Sequence, residues 1–207
     1  MSKEQVDRVY SAQTTDEQQI AYDGWAEEYE RDLFRMGYRS PIFVATCFIA
    51  HVSSDVTPIL DAGCGAGAQA EPLPTLGYQD IVGIDLSEGM MAVAAAKNIY
   101  AELKQQVLGE TLDFPDDHFG AVLSSGTITP GHAPAHSFDE LIRVVRPGGR
   151  IVFSLRCDQG LGPDYPQHIA ALEASGAWKH IVSTAPHQPM PYGHPEVWGK
   201  IHVYEVL

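Results

Sequence analysis

Residues 59–70 read ILDAGCGAGAQA, with Gly63, Gly65 and Gly67 spaced two apart directly after a short apolar run. A loop so rich in glycine costs conformational entropy to order. It belongs where the backbone turns tightly or where something approaches it closely. On both sides of this loop the pattern alternates between strand-type and helix-type runs. Strands alternating with helices pack as a mostly parallel sheet covered on both faces. That makes the chain α/β, a three-layer α/β/α sandwich.

The runs place seven strands at PILDAG (58–63), QDIVGIDLS (79–87), QQVLG (105–109), AVLSSG (121–126), RIVFSLR (150–156), KHIVSTA (179–185) and KIHVYEVL (200–207). Helices fall at GMMAVAAAKNIYAEL (89–103), HSFDELIRVV (136–145) and PQHIAALEASGAW (166–178), with a turn at RPGG (146–149). The last two strands have no helix between them, so the final strand runs antiparallel. Ahead of the sheet, Ile20, Tyr22, Trp25, Tyr29 and Leu33 recur at helical spacing and predict one amphipathic helix over 17–34. Pro41 opens a second helix to about Val52, because proline suits a first helical turn. The whole chain reads as one domain: a helical lid over 1–52, a core over 57–155, and a C-terminal helix and strands over 156–207.

The formal net charge is -14 and no dense Lys/Arg cluster occurs. Readers of phosphate backbones and anionic membranes need a basic face, so nucleic acid and membrane partners are not expected. No apolar run reaches the length of a membrane span, and the N-terminus lacks the apolar core of a signal peptide. Cys47, Cys64 and Cys157 form no CxxC pair and fit a reduced, cytoplasmic protein.

In a doubly wound sheet, ligands bind beyond the carboxyl ends of the strands, where this glycine loop lies. Gly63, Gly65 and Ala68 match the G-x-G-x-x-A fingerprint of dinucleotide sites. The same residues with Asp61 read D-x-G-x-G-x-G. A carboxylate at the loop entrance repels a pyrophosphate and attracts an ammonium group, so Asp61 favours a cationic, zwitterionic ligand. Asp85 ends the second strand, where a carboxylate can accept both hydroxyls of a ribose. It can equally start a turn before Ser87, a plausible helix N-cap.

The segments ILDAGCGAG, VGIDLSEGMM, LDFPDDHFGAVLSSG and LIRVVRPGGRIVFS stand in the order and spacing of a class I S-adenosylmethionine-dependent methyltransferase, which the chain resembles over about residues 57–155. It is also similar, more narrowly, to the methyltransferase-like proteins named after the Williams–Beuren region. The resemblance implies a Rossmann-like seven-stranded sheet and S-adenosyl-L-methionine as cofactor. It assigns Asp61, Gly63, Cys64 and Gly65 to the methionine end, Asp85 to the ribose, and Leu86 and Met90 to the adenine. The family's acid for the adenine amino group has no counterpart here; the backbone at Gly109 and Glu110 takes that place. Ser125 would touch the cofactor through its backbone, Arg39 would face the methionine carboxylate, and Tyr22 and Tyr29 would close over the site.

Methyl transfer needs alignment, exclusion of water and, for some nucleophiles, a base. His132, just after the fourth strand, is the candidate base; His136 shares its loop, with Pro134 between them. Arg156, His187, Tyr192, His194 and Trp198 are candidates for the pocket wall. Asp113, Asp116 and Asp117 read as a solvated turn rather than a metal site, and Cys64 as a small loop residue rather than a nucleophile. Tyr100 and Lys104 spell Y-x-x-x-K and read as an exposed helix face. The expected activity is methyl transfer to an O, N or S nucleophile of a small molecule. The competing readings are a nicotinamide-dependent oxidoreductase and a non-catalytic S-adenosylmethionine-binding protein.

Overall fold

The computed structural model of the chain describes residues 2–207. The glycine loop leaves the C-terminal end of β1 (Ile59–Ala62), which lies between β2 (Ile81–Asp85) and β4 (Phe119–Ser124). With β3 (Glu102–Gln105), β5 (Val145–Arg156), β6 (Trp178–Ser183) and β7 (Gly199–Val206), the sheet order is β3-β2-β1-β4-β5-β7-β6. The pairs among β3, β2, β1, β4 and β5 are parallel; β7 runs antiparallel to both β5 and β6. The predicted seven-stranded, mostly parallel sheet with an antiparallel last strand is what forms.

Alternation along the strands divides the core in two. Leu60, Val122, Ile151 and Phe153 join Phe138 of α6 (Ser137–Val144) and Trp178 on one face. Ile59, Leu123, Val152 and Val203 join Phe48 of α4 (Ser40–His51) on the other. α5 (Glu88–Ala96) and α7 (Asp164–Ser175) complete the helices that follow β1. The central strands β1 and β4 thus bury both faces, which is why their runs are nearly continuous in apolar residues, whereas the edge strands β3 and β6 stay largely exposed.

Five features differ from the sequence reading. The helix predicted over 17–34 is two, α2 (Thr15–Asp23) and α3 (Ala26–Arg35). Gly24 caps the first, Trp25 turns inward to 2% exposure, and Ile20, counted on the buried stripe, is 62% exposed. A further helix, α1 (Ser2–Tyr10), precedes them. The helix predicted to reach 103 stops at Ala96, because Asn98 adopts a left-handed φ of 55° that ends it. The chain released there forms β3 at 102–105 instead of 105–109. The predicted RPGG turn lies inside β5, where the pairing jumps from Phe119–Val145 to Ala121–Arg150.

Helices α1, α2 and α3 pack on one another rather than on the sheet, with Val6, Val9, Trp25, Leu33, Met36 and Met190 buried between them. They cover the carboxyl end of the strands.

Candidate active site

The glycine loop turns through positive φ at Gly63 (72°), Gly65 (51°) and Gly67 (90°). Two of these are crowded by the protein itself. A Cβ at Gly63 would stand 2.4 Å from the Thr127 side chain, and one at Gly67 3.2 Å from the Tyr100 ring. At Gly65 a Cβ would meet only Met90 Cε at 3.4 Å. Gly65 therefore turns its backbone toward the open side.

That side is a cavity of about 460 Å³, within the range of small-molecule sites. It is lined by Gly63, Cys64 and Gly65 from the loop, Asp85, Leu86 and Met90 beyond β2, Gly109 and Glu110 beyond β3, and Ser125 and His132 beyond β4. Tyr22 and Tyr29 cover it from α2 and α3. The structure brings eleven of the predicted cofactor residues around one cavity, together with His132.

Two stand elsewhere. Arg39 is exposed and outside the cavity wall. Its backbone N–H donates to the Pro189 carbonyl at 2.9 Å, and its charge bears on His187 instead. Asp61 is fully buried beneath the loop. Its Oδ1 accepts from Gln69 Nε2 at 2.7 Å and its Oδ2 from Tyr100 at 2.6 Å. Gln69 Nε2 also donates to the Gly63 carbonyl at 3.1 Å, which ties the acid to the loop. Tyr100 is thus no part of an exposed helix face: it holds Asp61 in place. Lys104 lies on β3, 4.8 Å above the Phe114 ring. Neither Gln69 nor Tyr100 was legible as a site residue; the one signal was the left-handed tendency of Asn98, which ends the helix before Tyr100.

Asp85 serves both sequence readings at once. Its Oδ2 accepts from Gly65 N at 2.8 Å, its Oδ1 from Ser87 N at 2.9 Å, and Ser87 caps α5 by accepting from Met90 N. Yet the carboxylate also lines the cavity. Next to it, Asp23 at the end of α2 accepts from Ser87 Oγ at 2.6 Å and Gly89 N at 2.9 Å, which clamps the covering helices to α5. On the far side of the cavity, Tyr22 Oη and His132 Nε2 are 2.7 Å apart.

The electrostatics of this wall are one-signed. Glu30, Asp85 and Glu110 line it, and no Lys or Arg does among the described residues. Burial pushes the Asp61 carboxyl up to about 7, the donors Tyr100 and Gln69 oppose that, and the Asp85 charge adds to it. Burial likewise raises Asp85, against the backbone donors at Ser87 and Gly65. Cys64 is held well above the usual thiol range by burial and then by both acids, so it stays a thiol. His132 is pushed down to about 4 by burial and is neutral at neutral pH. Such a cavity fits a ligand with positive charge and disfavours a pyrophosphate, which sets the nicotinamide reading aside.

Tyr100→Phe tests the Asp61 arrangement. It removes a donor that stabilises the ionised carboxyl, so the Asp61 pKa is expected to rise above about 7. Carboxyl titration by carbon-13 NMR reads this directly; an unmoved midpoint would show that Tyr100 does not hold the charge.

Residues 60–153 match the family described as a methyltransferase domain. With this fold and this site, the chain belongs to the class I S-adenosylmethionine-dependent methyltransferases, and S-adenosylmethionine is its cofactor. It is 32% identical over 169 residues to methyltransferase-like protein 27 of Homo sapiens, a match that covers 78% of this chain and 68% of that protein. This agrees with the narrower resemblance. It is 36% identical over 96 residues to demethylmenaquinone methyltransferase of Clavibacter sepedonicus, but spans only 39% of that protein. A TehB-like S-adenosylmethionine-dependent methyltransferase from Corynebacterium glutamicum superposes with a TM-score of 0.65 at 18% identity, covering 91% of this chain and all of that one, which shows the shared fold.

Proposed function

We propose that the chain transfers a methyl group to an oxygen, nitrogen or sulfur atom of a small molecule, and that residues 1–207 act as one unit in which the N-terminal helices form the lid. The observation that carries this is the acidic cavity itself. It lies at the carboxyl end of β1, β2 and β4, holds about 460 Å³, and is covered by Tyr22 and Tyr29. Relatives named for quinone and lipid methylation support a small acceptor over a macromolecule. The net charge of -14 argues against nucleic acid, and no helix among the described residues is long and apolar enough to cross a membrane.

When bound, the cofactor supplies a methyl group already activated by the positive charge on its sulfur. Everything else falls to this chain. The backbone at Gly63, Cys64 and Gly65 holds the methionine end, and the buried charge of Asp61 favours the ammonium from below. Asp85 takes the ribose hydroxyls, Leu86 and Met90 pack on the adenine, and the backbone of Gly109, Glu110 and Ser125 completes the cradle. Tyr22 and Tyr29 exclude water. His132, neutral at neutral pH, accepts a proton from the acceptor directly or through the Tyr22 hydroxyl. With a pKa of about 4 it suits a proton that leaves only as the new bond forms.

Calorimetry with S-adenosylmethionine and with a nicotinamide dinucleotide tests the cofactor site: the first binds, the second does not. Turnover against pooled small metabolites, followed by mass spectrometry, tests the reaction. The expected product is heavier by one methylene. Cofactor binding without any such product under a broad pool would leave a binding protein in place of a small-molecule methyltransferase.

A further inference from the structure

A second, smaller cavity of about 80 Å³ adjoins the first and shares Tyr22, Tyr29, Leu33, Tyr38, Gly126 and His132 with it. It lies beneath α1 and beside the ends of β4 and β5, so a molecule there faces the same His132–Tyr22 pair. Its walls are apolar and aromatic: Val6, Val9 and Trp25 are buried, and Tyr10 sets its ring edge to His132 at 4.5 Å between centroids. Arg156 is the one Lys or Arg among the described lining residues, and Asp158 pairs with it at 2.6 Å. Burial lowers the pKa of His132 and of His187, which keeps both rings uncharged at neutral pH. A charged guest would lose part of its water here and meet no free counter-charge, an unfavourable exchange.

The cavity is not featureless. Thr129 Oγ1 and His187 Nε2 are buried without a hydrogen-bond partner, and both residues line this cavity but not the larger one. Buried polar atoms left unpaired are uncommon in native proteins, and each asks for a partner. His132 Nδ1, on the wall shared with the larger cavity, is likewise unpaired, and Ser40 and Ser154 add hydroxyls to a wall that is otherwise mostly apolar and aromatic. Thr129 Oγ1 and His187 Nε2 are the unpaired atoms peculiar to this cavity, and they describe the guest that would satisfy them.

Building on the methyl-transfer reading above, we propose that this second cavity is where the acceptor binds, and that the acceptor is an uncharged molecule of about one ring, carrying hydroxyl or thiol groups that pair with Thr129 and His187. A volume near 80 Å³ suits a headgroup of about one ring; a long acyl or isoprenoid chain would have to extend outside it.

The test uses the full chain saturated with S-adenosylhomocysteine, the demethylated cofactor, and four probes of like size: phenol, resorcinol, benzoate and benzylammonium. Calorimetry and NMR shifts are expected to show phenol and resorcinol binding and the two charged probes at least tenfold weaker. Thr129→Val and His187→Phe should each weaken resorcinol about fivefold to tenfold, the size of one lost hydrogen bond, with S-adenosylhomocysteine affinity unchanged. Thr129→Ser, which keeps the hydroxyl, should bind resorcinol as the parent does and guards against a folding artefact. Equal binding of benzoate or benzylammonium, or variants without effect on resorcinol, would overturn the proposal, as would cofactor product that binds while neither phenol nor resorcinol does. Failure of S-adenosylhomocysteine itself to bind would instead bring down the reading beneath it.

Discussion

Asp85→Ala is expected to weaken S-adenosylmethionine binding by about a hundredfold or more, measured by calorimetry on a variant shown to be folded. Hydrogen bonds to a charged group contribute roughly 1.5–3 kcal/mol each, and a ribose offers two. The structure adds a second cause. In the free protein the same carboxylate receives Gly65 N and Ser87 N, so its removal also releases the glycine loop and the first turn of α5. The sheet should persist, because Ile59, Leu60 and Ile84 beneath it are fully buried and keep their packing. Asp85→Asn retains one acceptor oxygen and should fall between the two. Unchanged affinity in a folded Asp85→Ala protein would leave the residue with a turn-forming role alone.

Asp61→Asn should raise stability and lower cofactor affinity together. Burial lifts the Asp61 carboxyl to about 7 in the folded chain, against about 3.9 when unfolded. Below pH ~4 the group is protonated in both states and favours neither. Between pH ~4 and ~7 the unfolded chain gives up the proton while the folded chain keeps it, so folding stability falls as pH rises. Above pH ~7 the loss is complete, on the order of 4 kcal/mol from a shift of about three units. Asparagine cannot ionise and escapes that loss. Denaturant unfolding of both proteins across pH 4–9 should therefore show curves that meet in acid and separate toward pH 8, the variant higher. The other carboxylates are common to both and cancel in the difference. A variant no more stable than the parent at pH 8 would show that the charge is not buried at a cost. Buried charge retained at the expense of stability is what a site for a cationic ligand requires.

Tyr100 and Gln69 show how far the reading of residues alone can go. Asp61 and Asp85 were legible because strand ends and glycine spacing are local features, and the chemistry of a carboxylate at a strand end does not depend on what lies far along the chain. What stands against Asp61 could not be read that way. Gln69 comes from the turn after the glycine loop, and Tyr100 from a segment that local propensity assigned to a helix of alanines. Only the left-handed turn at Asn98 frees Tyr100 to cross to β1. Arg39 shows the reverse: its place before Pro41 suggested a contact that the packing of α4 against the C-terminal loop directs elsewhere.

By itself, then, the sequence determined the sheet, its mostly parallel order, the antiparallel last strand and the acidic end of the glycine loop. Those follow from periodicity of two and near 3.6, from glycine backbone freedom and from the placing of two aspartates at strand ends, all of which act within a few residues. Tertiary structure alone decided that Asp61 is buried and half-neutralised, that Asp23 clamps α2 to α5, that Tyr22 meets His132, and that a second neutral cavity opens behind them. Each of these joins side chains from elements that are distant in the chain, and burial, the cause of every shift in the site, exists only once those elements have packed.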